Sequence, residues 1–211
     1  MNIEAVLFDL DGTLIDTNEL IMVSFEYTFQ HYGLTFTKEE IMEFNGPPLI
    51  DTFRKINPTE ADAMMETYRE HNLKLHDTYV KAFPFVNETL TKLKEDNVKM
   101  AVVSAKMRTG VLKGLRLTNL ESFFDTIVTV DDVSNPKPHP EPVLKAIKDL
   151  NASPSRSIMV GDNYHDIESG KNAGTKTAGV AWSAKGRDYL MEFNPTYMLD
   201  DMRDLLPIVG V

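Results

Sequence analysis

Apolar residues gather in five short runs along the chain: AVLF at 5–8, KMAVV at 99–103, TIVTV at 126–130, SIMV at 157–160 and TAGVA at 177–181. None alternates strictly with polar residues, which is the pattern of strands covered on both faces. Between most of these runs the apolar spacing becomes helical. Residues 85–96 place Val86, Leu90 and Leu93 on one face, and residues 140–150 do the same with Val143, Leu144, Ile147 and Leu150. Strands alternating with helices imply a parallel sheet wound by right-handed crossovers, an α/β fold of Rossmann-like type.

Residues 16–82 break that rhythm with helix signals and no convincing strand. Asp16 with Glu19 has the form of a capping box opening a helix whose stripe is Ile21, Phe25, Phe29 and Tyr32, closed by Gly33. Thr37 with Glu40 is a second capped start, and NPTEADAMMETY is a third, with Pro58 expected at the first helical position. The economical reading is an α/β core of residues 1–15 and 83–211 with an all-helical module, 16–82, inserted between strands one and two. Its flexible joins are expected near 14–17 and 79–84. The Met-rich DAMMETY segment reads as packing within that module.

In open parallel sheets, ligands bind beyond the carboxyl ends of the strands. Asp9, Asp11, Gly12 and Thr13 follow the first run, and Ser104, Ala105 and Lys106 follow the second. Asp131, Asp132 and then Lys137 in NPKPHPEP follow the third; Gly161, Asp162, Asn163 and Asp166 follow the fourth. Taken singly, each has a plain alternative as a turn residue, a loop lysine or a helix cap. Together they suit magnesium-assisted phosphoryl transfer. Mg²⁺ favours oxygen ligands, which Asp9 and Asp162 can supply, and the metal would relieve the repulsion between the close carboxylates Asp9 and Asp11. A carboxylate is a competent nucleophile toward phosphorus, and a second carboxyl two residues away can protonate the leaving oxygen and later deprotonate water. Ser104 and Lys137 can bind the equatorial oxygens, with Thr13 and Ala105 beside them.

Composition narrows the partners. A chain of 211 residues with 42% hydrophobic content can bury a core, and its net charge of −10 argues against a nucleic-acid backbone or an anionic membrane. An anionic substrate would need local cations to overcome that field. There is no cysteine, so disulfides and thiolate metal sites are excluded. No apolar stretch reaches the ~18 residues of a membrane span, and the first strand begins too early for a signal peptide. A soluble, cytoplasmic protein is expected.

The four polar elements, in this order, resemble the motifs of the haloacid dehalogenase superfamily of phosphohydrolases: FDLDGT the first, Ser104 the second, Lys137 the third and GDNYHD the fourth. The resemblance implies Asp9 as nucleophile and Asp11 as acid and base. It implies Mg²⁺ held by Asp9, the backbone carbonyl of Asp11, and Asp162, with Asp166 in support. It also implies that the helical insert is a cap that closes over the site and selects substrate. Asp11 points within the superfamily to phosphatase or phosphomutase chemistry. A closer resemblance, to pyrophosphatases of Gram-positive bacteria, runs through DGTLIDTNELI, GPPLIDTF, VTVDDVSNPKPHPEP and AGTKTAGVAWSAKGRD. It implies inorganic pyrophosphate as substrate, with a phosphoglycolate phosphatase-like phosphomonoesterase as the alternative. A catalytically silent relative would have lost a catalytic residue, and the chain keeps all of them. For a second phosphate, Lys106 is the foremost candidate and Arg54 and Arg108 are weaker ones; Asn18 and the backbone amides around Gly46 are expected to contact substrate. His139 reads as a loop residue, while Lys185 and Arg187 are open between local field and decoration.

Overall fold

The computed structural model describes residues 3–45 and 47–211, so the expectation attached to Gly46 lies outside the described residues. The chain divides into two compact units, Met1–Asp16 with Lys81–Val211, and Thr17–Val80.

In the first unit, strand β1 (Ala5–Phe8) precedes a two-residue strand β2 (Ile15–Asp16), which pairs antiparallel with β3 (Lys81–Ala82). Ile15 lies opposite Ala82, and Asp16 opposite Lys81. The joins expected to be flexible therefore carry a small ladder. Then follow β4 (Lys99–Val103), β5 (Thr126–Val128), β6 (Ser157–Gly161), β7 (Lys176–Val180) and β8 (Tyr197–Leu199). The larger sheet runs β5-β4-β1-β6-β7-β8, every neighbouring pair parallel. β1 sits between β4 and β6 and is fully buried, which is why its four residues carry no polar face.

One strand expectation needed correction, and one strand was not anticipated. The third run ends its strand at Val128 because Val130–Asp132 turn into a 3₁₀ helix, with Thr129 and Asp132 bonded reciprocally across its start. β8 escaped the sequence reading altogether: Tyr197 and Met198 are half-buried edge residues, and the run is too short to signal a strand.

The second unit holds α1 (Asn18–His31), α2 (Lys38–Glu43), α3 (Leu49–Ile56) and α4 (Ala61–Tyr79). Its core is aromatic. Phe25 lies 5.6 Å from Phe29, 5.7 Å from Phe53 and 4.8 Å from Tyr68 between ring centroids, and Met64 is fully buried beside them. The predicted α1 stripe thus faces this core. Thr37 and Glu40 form the expected capping box on α2. The box expected from Asp16 and Glu19 does not form, because Asp16 belongs to β2 and Thr17 stands at the N-cap without a side-chain capping bond. Pro58 lies in a turn ahead of α4, which starts at Ala61.

Returning to the first unit, α5 (Val86–Glu95), α6 (Arg108–Leu117), α7 (Glu141–Asp149), α8 (Tyr164–Asn172), α9 (Arg187–Met191) and α10 (Leu205–Val209) complete the chain. Val143, Ala146 and Ile147 of α7 pack onto Ala5, Leu7, Ala101, Val103, Val128 and Met159 of the sheet. Of the apolar face read from residues 140–150, Val143, Ile147 and Leu150 are buried as expected, but Leu144 turns to solvent, one residue round the helix from Val143.

Candidate active site

The Asp9 N–H donates to the Val160 carbonyl at 2.9 Å, so pairing with β6 continues one residue past β1 and fixes the first carboxylate at the strand end. A tight turn follows, in which the Leu10 carbonyl accepts from the N–H groups of Leu14 and Ile15 at 3.0 and 3.1 Å. Gly12 sits in that turn at φ +83°, and a Cβ there would lie 2.3 Å from Asp162 Oδ2. Both facts demand glycine. The same closeness recurs one strand over, where a Cβ on Gly161 would lie 2.2 Å from the Asp166 Cβ. Asn163 caps α8, and its N–H donates to Asp166 Oδ2 at 3.1 Å. Helix start and strand end are thereby locked with Asp162 between them.

Lys137 is the buried cation of this cluster. Its ammonium donates to Asp9 Oδ1 at 2.7 Å, Asp166 Oδ1 at 2.6 Å and the Val103 carbonyl at 2.9 Å. Burial alone would push that ammonium's pKa down, but Asp166 and Asp9 outweigh it and hold the lysine firmly charged. The three buried carboxylates of Asp9, Asp162 and Asp166 offer oxygens that all lie within 4.8 Å of one another. One ammonium is too little charge for them. Burial, reinforced by Asp166 and Asp11, pushes Asp9 up to about 7 despite Lys137. Burial and then the charges of Asp9 and Asp166 push Asp162 well above the usual carboxylate range. An all-oxygen set that holds its protons so tightly fits a hard divalent cation. Asp166 already gives one oxygen to Lys137 and the other to Asn163, so Asp9 and Asp162 are the carboxylates suited to hold the metal.

At the end of β4, the Ser104 N–H donates to Val128 O at 2.9 Å, and its hydroxyl accepts from the Lys106 N–H at 3.1 Å. Ala105 occupies the half-buried turn between them. The Lys106 ammonium lies 2.9 Å from Asp11 Oδ1. The Thr13 hydroxyl is fully buried and has no hydrogen-bond partner among the described residues.

Asp9, Asp162 and Lys137 come together around Asp166, and Asp11 pairs with Lys106 next to Ser104. Asn18 and Arg54 belong to the helical unit, Asn18 as the first residue of α1 and Arg54 as an exposed residue of α3. Arg108 is committed elsewhere, donating to Asp132 at 2.6 Å and to the Ile127 carbonyl at 2.9 Å. Arg187 pairs with Asp200, Lys185 lies over the Tyr189 ring, and His139 is a half-exposed loop residue.

The sequence reading missed two supports after β7. Trp182 Nε1 donates to the Thr13 carbonyl at 3.3 Å, and the Ser183 hydroxyl donates to the Asp162 carbonyl at 2.7 Å. The signal was available, since the chain's single tryptophan and a serine follow a strand end directly.

A family model described as haloacid dehalogenase-like hydrolase matches residues 6–180. The chain is 55% identical over 210 residues to a pyrophosphatase PpaX from Oceanobacillus iheyensis, covering 100% of this chain and 98% of the relative. It is 52% identical over 212 residues to a protein of the same name from Anoxybacillus flavithermus, covering 100% and 99%. Among solved structures, a haloacid dehalogenase-like family hydrolase from Streptococcus pneumoniae superposes with a TM-score of 0.87 at 24% identity, covering 98% of each chain, a likeness of fold. With the motif order, the strand-end carboxylates and the matches in agreement, the chain belongs to the haloacid dehalogenase-like hydrolases.

Proposed function

We infer that the protein hydrolyses inorganic pyrophosphate to two phosphates, with Mg²⁺ as cofactor. The substrate rests on one observation: relatives at 50–55% identity over nearly their full length, the helical unit included, carry the name pyrophosphatase. The chemistry rests on the buried Asp9–Lys137–Asp166 array with Asp162 beside it.

The reaction uses the chain's own groups in two steps. In the first, an Asp9 carboxylate oxygen attacks the nearer phosphorus while the bond to the bridging oxygen breaks, and the Asp11 carboxyl proton passes to the departing phosphate. In the second, water attacks the aspartyl phosphate as Asp11 takes its proton. The bond between phosphorus and Asp9 breaks, restoring both carboxyl groups. Lys137 holds one Asp9 oxygen, which leaves the other to act as nucleophile, and its positive charge offsets part of the negative charge gathered there. Ser104, Ala105 and the Thr13 hydroxyl supply the neutral contacts. Mg²⁺, held by Asp9, the Asp11 carbonyl and Asp162, supplies the charge that keeps these carboxylates ionised and offsets that of the substrate. The cap role implied for residues 17–80 assigns substrate choice to that unit.

The test is phosphate release with Mg²⁺ from pyrophosphate, phosphoglycolate and several sugar phosphates, compared by kcat/KM. A preference for pyrophosphate of about 100-fold, about 2.7 kcal/mol in the transition state, is expected. A flat profile, or phosphoglycolate foremost, would overturn the substrate and leave the Asp9 chemistry standing.

A further inference from the structure

We propose that Lys106 is a positioning residue that aims the Asp11 carboxyl, and that Gly110 is the notch in α6 that makes room for it. The inference rests on the reading of Asp9 and Asp11 as nucleophile and acid–base. Three observations carry it. First, the Lys106 ammonium donates to Asp11 Oδ1 at 2.9 Å, and both side chains are only about one-fifth exposed. A pair this sheltered holds its geometry better than a surface pair, which solvent and chain entropy loosen. Second, the lysine is anchored where it leaves the backbone: its N–H donates to Ser104 Oγ at 3.1 Å, and its carbonyl accepts from the Val130 N–H at 3.4 Å. The origin of the side chain is thus tied to Ser104 and to the 3₁₀ turn that follows β5. Third, the aliphatic stem crosses the first turn of α6 at the position that lacks a side chain. A Cβ on Gly110 would lie 3.0 Å from Lys106 Cε and 3.3 Å from its Cγ and Cδ. A side chain there presses on the stem, which must give by a few tenths of an ångström even for alanine.

Asp11 serves both steps, and the two depend differently on its aim. In the first step its proton matters in proportion to how basic the leaving oxygen is. In the second step it always deprotonates the same water, whatever group has left. A misaimed Asp11 therefore spares formation of the aspartyl phosphate from an aryl phosphate, whose phenolate leaves unaided, and slows breakdown in every case. A lysine that instead binds the second phosphate behaves in the opposite way: its loss harms pyrophosphate most and leaves breakdown alone.

The experiment is rapid-quench and steady-state kinetics of the wild type, Lys106→Ala and Gly110→Ala on p-nitrophenyl phosphate, an alkyl phosphate and pyrophosphate with Mg²⁺. Thermal melting of each protein accompanies it. For Lys106→Ala on the aryl ester we expect kcat/KM within about threefold of wild type, with kcat and KM each lower by about tenfold or more as breakdown becomes limiting. A burst of nitrophenolate and an acid-stable phosphoenzyme accompany that fall. The alkyl ester loses at least about tenfold in kcat/KM because its oxygen needs the proton. Gly110→Ala should reproduce this pattern in weaker form without a lower melting temperature, since alanine favours the helix. A simple loss of fold would move kinetics and melting together.

A Lys106→Ala protein with no burst, a raised KM for pyrophosphate and unchanged ester kinetics would overturn the proposal and make Lys106 a reader of the second phosphate. So would wild-type kinetics in both variants. Turnover of the aryl ester by the wild type without turnover of pyrophosphate would remove the substrate assignment alone, and the burst would still decide for or against Lys106.

Discussion

Asp9 is where the proposed chemistry stands or falls, because it is at once the proposed nucleophile, the partner of Lys137 and a candidate metal ligand. Asp9→Asn keeps the shape and the acceptor toward Lys137 but removes the nucleophilic oxygen's charge. It should lower kcat by about 10³-fold or more and leave the far-UV circular dichroism unchanged. Turnover within about tenfold of wild type would rule out a covalent intermediate on this residue. At this scale the sequence was highly legible. Asp9 and Ser104 follow apolar runs directly and Asp162 stands one residue further on, so the strand-end rule pointed to them without any distance in hand. Lys137, by contrast, lies seven positions beyond Val130 in a proline-rich loop. It could not show that Lys106 would face Asp11 across 95 positions of chain, or that Arg108 would be spent on Asp132. Pairings of this kind are set by how the loops turn, which composition does not record.

Elements were legible where the apolar run was long and buried, as in β1, β4, β6 and α7, and illegible where neighbours decide. β2 and β3 are two residues each and exist only as partners of one another. That pairing took Asp16 from the helix cap its local pattern favoured, a case of tertiary structure overriding a local signal. Close approach between elements also leaves a testable mark. β6 and the first turn of α8 meet so tightly at Gly161 that a Cβ would fall 2.2 Å from the Asp166 Cβ. Gly161→Ala should therefore destabilise the protein by about 1–3 kcal/mol in denaturant unfolding and weaken Mg²⁺ binding by displacing Asp162. A neutral effect on both would mean that α8 shifts freely on the sheet.

For the whole molecule, the cluster of carboxylates links stability to pH and metal. Asp9 is pushed up to about 7 in the folded protein from an ordinary value of 3.8. The metal-free native state therefore binds more protons than the unfolded chain between those values, and its stability falls as pH rises through that window. Melting in chelator should accordingly decline between about pH 4 and 7, and excess Mg²⁺ should restore much of the loss, by about 2.7 kcal/mol at a hundred times its Kd. Asp162→Asn removes one of the repelling charges. In chelator at pH 7.5 it should melt no lower than wild type, and with Mg²⁺ it should gain less. A variant that melts lower in chelator yet responds normally to Mg²⁺ would show that Asp162 serves the fold and not the metal.

The small ladder at Ile15–Asp16 and Lys81–Ala82 has a meaning for inheritance. Asp16 faces Lys81 directly, so the chain leaves the sheet unit and re-enters it at the same rung. Whatever lies between needs only ends that meet there, and a two-residue Asn-Gly turn would satisfy the same geometry. Asp9, Asp11, Ser104, Lys106, Lys137, Asp162 and Asp166 all lie outside that stretch. Residues 17–80 can therefore be exchanged, lengthened or rewritten as a cassette without moving the two ends that the sheet unit holds.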